Sequence, residues 1–479
     1  MSDSKTILFL QGHPSTFAGA VAKEIARRGG RVLRINLCAG DALFWRGSNA
    51  ISYRGRLQDW PQFLRDFIRR EGVSDIVYYA DRLPYHRVAA AVAREFGIRT
   101  ATYEFGYLRP DWITLEHGGM SAWSHFPRAA EKIRDIAGNV PEPDLAERYP
   151  YSFLDEAFCE VTYNLATFLG WPLYPHYEAD KYYHPVLDYL SYIPRLATSG
   201  RDDRRARGTI AMLCENAVPF FVCPMQMQND YQLRANSHYR HQSEMLEEVI
   251  ASFAQHAAAD AHLVLKVHPL DNGRERWDGI VDALSQAAGV SQRVHLVRGG
   301  DLRTLLTAAQ GVVLVNSTVG VHALRHGRPV KVLGIAVYDI AGLTHQGDLD
   351  GFWRAPTAPD AELCADFVKA MAATIHVKGN FFTKAGRAAA VPAMAERLLA
   401  GTVNQPGALE AQPPRLARAA ALGIPFNLHE AVVAAGLAPL AQDGEAVVGA
   451  EGEGGAGAGG LAASNVMRLP PRASRRAPG

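Results

Sequence analysis

The chain opens with a regular beat of short apolar runs and amphipathic stretches. Ile7-Leu8-Phe9-Leu10 is apolar and breaks at Gln11-Gly12-His13-Pro14, after which Phe17, Val21 and Ile25 fall at i, i+4 and i+8. That spacing predicts a strand and then a helix with one buried stripe, ended by Gly29-Gly30. The beat continues with strands over Arg31 to Leu37, Asp75 to Tyr79 and Arg99 to Glu104, and helices over Trp60 to Arg70 and His86 to Phe96. A β-α-β-α order implies a parallel sheet covered on both faces.

The pattern changes between about Leu145 and Leu196, where tyrosine, proline and tryptophan crowd together and helices with a connecting arm are expected. The charge cluster Arg201-Asp202-Asp203-Arg204-Arg205 makes a natural boundary. Alternation then resumes. Strands are expected over Thr209 to Leu213, Phe220 to Cys223, His262 to Val267, Val294 to Val297, Val312 to Val315 and Val330 to Leu333. Helices fit Glu244 to His256, Trp277 to Ala287 and Leu302 to Ala309, with a helical close over Leu363 to Ala400. The expected α/β organisation is therefore a Rossmann-like domain over 1–145, a helical Tyr-rich connecting region over 146–205 and a second Rossmann-like domain over 206–375. Closing helices over 376–400 and a low-complexity, disordered tail over 401–479 follow. Glu451 to Gly460 is almost entirely Gly, Ala and Glu and cannot build a core.

Composition narrows the function classes. At 479 residues the chain exceeds one ordinary core. A net charge of +1 gives no broad electrostatic case for nucleic acid, and the few arginines of the tail (Arg468, Arg472, Arg475, Arg476) read as a solvated end. Five cysteines without CxxC spacing argue against a disulfide framework or a structural zinc site. The N-terminal apolar run is too short for a signal peptide, and no stretch reaches the roughly 18–20 apolar residues of a membrane span. A cytoplasmic protein is expected, one that meets lipid only from the surface.

Candidate chemistry sits past strand ends. Tyr103-Glu104-Phe105-Gly106-Tyr107-Leu108-Arg109-Pro110-Asp111-Trp112-Ile113-Thr114-Leu115-Glu116 packs three carboxylates, an arginine and several aromatics at the end of a buried strand. Open α/β sheets bind ligands at that edge. Glu104 suits a base or nucleophile, Arg109 a bidentate anion partner, and Gly106 a close approach of backbone to ligand. A Glu104–Arg109 salt bridge that merely holds the loop is the competing reading. Lys266-Val267-His268-Pro269 ends another strand, where His268 suits a phosphate donor or an acid, or simply a turn. Asn316-Ser317-Thr318 precedes a helix and offers either capping or an anion site. The loop Pro224 to Ser237, with Gln226, Asp230 and Ser237, suits a sugar or base, or is an ordinary polar loop. The GxGxxG at Gly452 to Gly457 lacks a preceding strand, no Walker loop or G-x-S-x-G elbow occurs, and Asp348-Leu349-Asp350 is a poor metal candidate.

In this order, these stretches resemble the capsule polysaccharide biosynthesis family of the KpsS/LipB type. The likeness rests on Glu104 to Glu116, Pro224 to Ser237, Lys266 to Pro269, and Asn316 to Gly320 with His326-Gly327, and spans roughly residues 5 to 400. The resemblance implies two Rossmann-like domains facing a cleft, a GT-B-like arrangement. It also implies a metal-independent glycosyltransferase with no cofactor, moving Kdo from CMP-Kdo to a lyso-phosphatidylglycerol-type lipid at the cytoplasmic face of the inner membrane, alongside capsule synthesis and export proteins. It implies an acidic nucleophile in a Glu-Asp-Gly-like motif, which Glu104 matches, although Phe105 stands in the second acidic position. Asp111 and Glu116 are the alternatives for that role. His268 would contact the CMP phosphate and Ser317 and Thr318 would cap the helix that cradles it, with Lys266, Asn316 and His326 in the surrounding motifs, and Arg109 would meet the Kdo carboxylate. Two further readings stay open: an inverting, sialyltransferase-like enzyme with Glu104 as base, and a non-catalytic assembly or export factor that binds lipid-linked glycan.

Overall fold

Apolar runs of three to seven residues become strands here because both faces of each sheet are covered. The computed structural model describes residues 5–45, 47–180, 182–183 and 185–424. Six strands come first: β1 (Thr6–Phe9), β2 (Arg31–Asn36), β3 (Ala50–Ser52), β4 (Asp75–Tyr79), β5 (Arg99–Phe105) and β6 (Trp112–His117). Then follow β7 (Phe220–Pro224), β8 (His262–Lys266), β9 (Val294–Val297), β10 (Gly311–Leu314), β11 (Val330–Val332) and β12 (His376–Lys378). The first sheet runs β3-β2-β1-β4-β5-β6-β12, and the second runs β9-β8-β7-β10-β11. Strands β1 to β5 are mutually parallel, as are all five of the second sheet. In both sheets the order reverses beside the first strand, between β1 and β4 and between β7 and β10. Ligand crevices form at such reversals, outside the carboxyl ends of the strands. The chain is thus two Rossmann-like α/β lobes facing a cleft, in a GT-B-like arrangement.

Several elements depart from the sequence reading. Thr209 to Leu213 is not a strand but the end of the helix Pro185–Glu215. Its buried positions, Ala206, Ile210 and Leu213, recur at helical spacing and pack under the second sheet, so tertiary burial decides between two periods that a five-residue run cannot separate. The cluster Arg201 to Arg205 lies inside that helix rather than at a break. Residues 376–400 are not all helical. His376–Lys378 leaves the second lobe and pairs antiparallel with β6, and Lys384–Ala400 then packs on the helix Phe17–Arg27. The end of the Glu104 stretch is likewise strand, since β6 folds back antiparallel on β5.

Residues 401–424 are no loose tail. Asn404 is fully buried and accepts the His117 backbone N–H at 2.8 Å, and Leu416–Ala421 is a short helix. Arg415, 2% exposed, donates to the carbonyls of Phe126 (2.6 Å) and Val337 (2.5 Å), one from each lobe. Ala408 and Ala419 are fully buried, so small residues here serve packing, which is why the composition misled. The Gly-rich run and the terminal arginines lie outside the described residues. All five cysteines are unpaired. Among the described residues no helix is long and apolar enough to cross a membrane.

Gly106 closes the β5–β6 hairpin, its N–H donating to the Trp112 carbonyl at 2.7 Å. A Cβ there would stand 2.6 Å from that carbonyl oxygen, a contact that backbone cannot yield. Gly106→Ala is therefore expected to lower stability by roughly 1–3 kcal/mol, read as a shift of the denaturation midpoint at unchanged slope.

Candidate active site

Chain reversals at the two sheet edges bring one cavity together between the lobes. It encloses about 120 Å³ and is walled by Glu104, Phe105, Tyr107 and Arg109 from the first lobe. From the second lobe come Gln226, Asp230, Gln232, His268 and Asn316 to Thr318. Gln226 follows β7 and Asn316 follows β10, which places both at the switch point of the second sheet. His268 follows β8, next to β7.

Glu104 is held from across the seam. The Tyr231 hydroxyl and the Gln232 Nε2, the latter at 3.0 Å, donate to one oxygen of its carboxylate. The Gln232 amide is fixed in turn, because its Oε1 accepts from Ser121 Oγ (2.9 Å) and Asn236 Nδ2 (2.8 Å). Burial pushes the Glu104 carboxyl up to about 7, against the two hydrogen bonds that favour its charge. The rise holds although part of the side chain faces the cavity, because protein atoms surround it on every other side. Arg109 does not pair with Glu104. Its exposed guanidinium lies 4.9 Å over the Phe105 ring, and among the described residues it forms no ion pair.

His268 is fixed as a donor. The Leu270 N–H donates to His268 Nδ1 at 3.1 Å, so in the neutral ring the proton sits on Nε2. Burial, reinforced by the charges of Arg109 and Lys266, pushes its pKa down to about 4. The ring is thus neutral near pH 7 and offers an N–H to an anion without carrying charge. Asp230 begins the helix Tyr231–Ala235, accepting from the Gln232 N–H (2.8 Å) and from Gln226 Nε2 (3.2 Å). Asn316 donates from Nδ2 to the Gln232 carbonyl at 2.9 Å, while its Oδ1 is a buried acceptor without a partner among the described residues. Ser317 Oγ accepts from the Val319 N–H at 3.3 Å, and Thr318 makes no side-chain cap.

Six other expected residues stand elsewhere. Asp111 immediately precedes β6, is fully buried and accepts from the N–H groups of Arg148 and Tyr149, with Lys378 at 3.5 Å. It secures the arm that follows. Glu116 is fully buried one layer beneath the cavity, accepting from Ser124 Oγ and, at 3.4 Å, from Tyr107 Oη. Burial raises its carboxyl to about 8. Neither carboxylate lines the cavity: Asp111 is taken up by the Arg148 and Tyr149 amides, and Glu116, on β6, by Ser124. Ser237 Oγ donates to the Leu233 carbonyl at 2.7 Å, and Gly106 approaches its own hairpin rather than a ligand. Lys266 and His326 do not line the cavity; the Lys266 ammonium lies within the fields of Asp203 and Asp301. Asp348 caps the helix Leu349–Arg354, and Asp350 accepts from Ser252 Oγ at 2.6 Å. Among the described residues no group of three or more His, Cys, Asp or Glu side chains is arranged to hold a metal ion. Sequence reading missed Tyr231, Gln232, Ser121 and Tyr107. The first two follow the helix-capping Asp230, the one local cue that their side chains begin an ordered turn.

A two-lobed α/β protein with an acid from one lobe and neutral or cationic donors around it defines a cleft-binding class. Within it, residues 74–382 match the Capsule polysaccharide biosynthesis protein family, and the chain belongs to that family. It is 31% identical over 367 residues to the capsule polysaccharide export protein KpsS of Escherichia coli, covering 76% of this chain and 93% of that protein. It is also 31% identical over 393 residues to the capsule polysaccharide modification protein LipB of Neisseria meningitidis serogroup A, covering 80% and 93%. Among solved structures it is similar to Thermosulfurimonas dismutans KpsC, beta Kdo 2,7 transferase, at 13% identity and a TM-score of 0.39, over 78% of this chain and 92% of that one.

A carboxyl whose pKa is raised on folding holds its proton more tightly in the native state. The native state is therefore favoured at and below the unfolded pKa, and that advantage disappears as pH climbs from about 4.5 to about 7. Glu104→Gln, which cannot ionise, is expected to be more stable than the parent at pH 8 by about 1–2 kcal/mol, discounted from the full shift because the group touches cavity water. The difference should vanish at pH 4.5 in parallel thermal melts.

Proposed function

We propose that this protein is a glycosyltransferase of capsule assembly that moves Kdo from CMP-Kdo to a lyso-phosphatidylglycerol-type lipid, starting the capsule linker. The observation that carries this reading is the shared cavity: Glu104 on one lobe faces His268, Asn316, Ser317 and Thr318 on the other. CMP leaves as a phosphate monoester. The His268 Nε2–H and the Arg109 guanidinium supply fixed donors where negative charge collects on the departing phosphate and on the sugar carboxylate. The Glu104 carboxylate, on the other side of the sugar, suits an oxocarbenium-like centre and a covalent intermediate. Asp230 is the second carboxylate on the cavity wall, and Phe105 instead joins the aromatic cluster around Phe381 and Phe382.

Ligand sites commonly enclose roughly 300–1,000 Å³, so a cavity of about 120 Å³ holds only the reacting centre. A nucleotide sugar enters when the lobes part, and the contacts from Tyr231 and Gln232 to Glu104 are the ones that parting breaks. An exposed apolar face on the helix Phe153–Leu169, made by Leu154, Phe158, Val161, Leu165 and Leu169, supports a lipid setting for the acceptor. The same Glu104, with its pKa near 7, also suits a general base in an inverting transfer, and product anomeric configuration separates the two.

The test is incubation of purified protein with CMP-Kdo and lyso-phosphatidylglycerol, followed by CMP release and the mass of the lipid. Kdo-modified lipid is expected. Glu104→Gln and His268→Ala should each cut turnover by at least roughly 100-fold while melting cooperatively. Near-parental turnover in either variant removes that residue from its role, and absence of CMP release with parental protein overturns the reading in favour of a non-catalytic binder. Because Glu104 works as its carboxylate, kcat should rise with pH through about 7.

A further inference from the structure

A second cavity lies beside the first. It encloses about 300 Å³ between the helices Phe153–Leu169 and Pro185–Glu215 and the carboxyl edges of the lobes. One loop separates the two spaces: Gln226 and Asp230 line the catalytic cavity, and Met227 and Asn229 line this one. The half-buried Tyr79 lies in the fields of both Glu104 and Glu160, one acid from each cavity.

The walls have a definite chemistry. Tyr163, Tyr177, Tyr183 and Tyr192 line the space, and each hydroxyl is already engaged, two of them with Gln11 on the same wall. Tyr177 donates to Gln11 (3.3 Å), Tyr163 accepts from Gln11 (2.8 Å), Tyr192 donates to the Leu270 carbonyl (2.8 Å) and Tyr183 donates to Glu275. What they present to the cavity is chiefly ring surface. Among the described residues, no lysine, arginine or histidine lines it.

Four carboxylates line the space, Glu160, Glu178, Asp180 and Asp188, and the two aspartates are engaged. Asp180 is paired with Arg234 at 2.9 Å, and Asp188 accepts from Asn272 at 2.5 Å. Glu160 accepts no hydrogen bond among the described residues, and its accessible surface opens on the cavity. Desolvation by the neighbouring helices, with repulsion from Glu156 and Asp188, raises the carboxyl of this exposed side chain, which makes it a weaker anion and a hydroxyl partner. Aromatic faces with a free carboxyl and the Asn229 amide match the two sides of a polyhydroxylated carbon chain, C–H on one and O–H on the other.

We propose that this cavity binds a neutral polyol: the hydroxyl-bearing head of the acceptor, held so that one hydroxyl reaches past the 225–230 loop toward Glu104. The assignment rests on the transferase reading above for its role and on the cavity itself for its ligand. Full-length protein is titrated calorimetrically, without donor, against glycerophosphoglycerol and glycerophosphoethanolamine, which share a phosphodiester and differ in polyol against ammonium. Parental protein is expected to bind the first and not the second, with Glu160→Ala and Asn229→Ala each weakening it by at least about tenfold at unchanged melting temperature. Failure to bind glycerophosphoglycerol, equal or tighter binding of the ethanolamine compound, or unchanged affinity in both variants overturns the proposal. These outcomes stay readable if CMP release is never seen, so loss of the transferase reading is distinguishable. Where transfer does occur, Glu160→Ala should raise the acceptor KM about tenfold and leave the KM for CMP-Kdo and the rate of donor hydrolysis unchanged.

Discussion

One hydrogen-bonded carboxylate joins the two halves of this molecule. Glu104 belongs to the first sheet, yet its donors, Tyr231 and Gln232, belong to the second lobe. Burying a carboxyl without partners is costly, and here the partners arrive only when the lobes meet. Closure of the cleft, burial of the acid and its raised pKa are therefore one event. A protein built this way couples the protonation of this acid to the position of its lobes, so opening of the cleft and proton affinity change together.

The seam is secured in depth as well as at its surface. Asn236 accepts from the Ala122 N–H at 3.1 Å and donates to the same Gln232 oxygen that Ser121 reaches. Arg415 lies deeper still, without exposure and with carbonyls of both lobes as acceptors. Burial lowers its pKa to about 10, and the nearby Glu116 partly offsets that loss. A guanidinium in this place remains charged at any physiological pH, and its planar fork suits several carbonyls at once. The hydrogen bonds of Gln232 and Tyr231 face the cavity, whereas those of Arg415 do not, so the first set can open while the second keeps the lobes in register.

Much of this was legible in the chain because parallel strands buried on both faces read as short apolar runs, and the helices between them carry a clear stripe. Trp277–Ala287 and Asp75–Tyr79 fall where their patterns predict. The candidate positions that meet in one cavity, Glu104, Arg109, Gln226, Asp230, His268 and Asn316 to Thr318, share one rule: each lies at or just past the carboxyl end of a buried strand. Asp111 and Glu116 broke the rule because one precedes and the other lies within a strand that folds back antiparallel, and nothing in a stretch of alternating aromatics and acids announces a hairpin. Three-residue strands such as β3 and β12 are too short to have a period at all. Thr209 to Leu213 was ambiguous for the opposite reason, an apolar run whose partners lay in the preceding turns of its helix.

The pairing of β12 with β6 has a consequence for how this protein is made. The outer edge of the first sheet is closed by residues synthesised only after the whole second lobe. While the nascent chain lengthens, β6 carries an unsatisfied row of amides and carbonyls, the kind of edge that recruits foreign strands. Translation must reach His376–Lys378 before that edge is protected, so premature termination would release a sticky fragment rather than a shorter working protein.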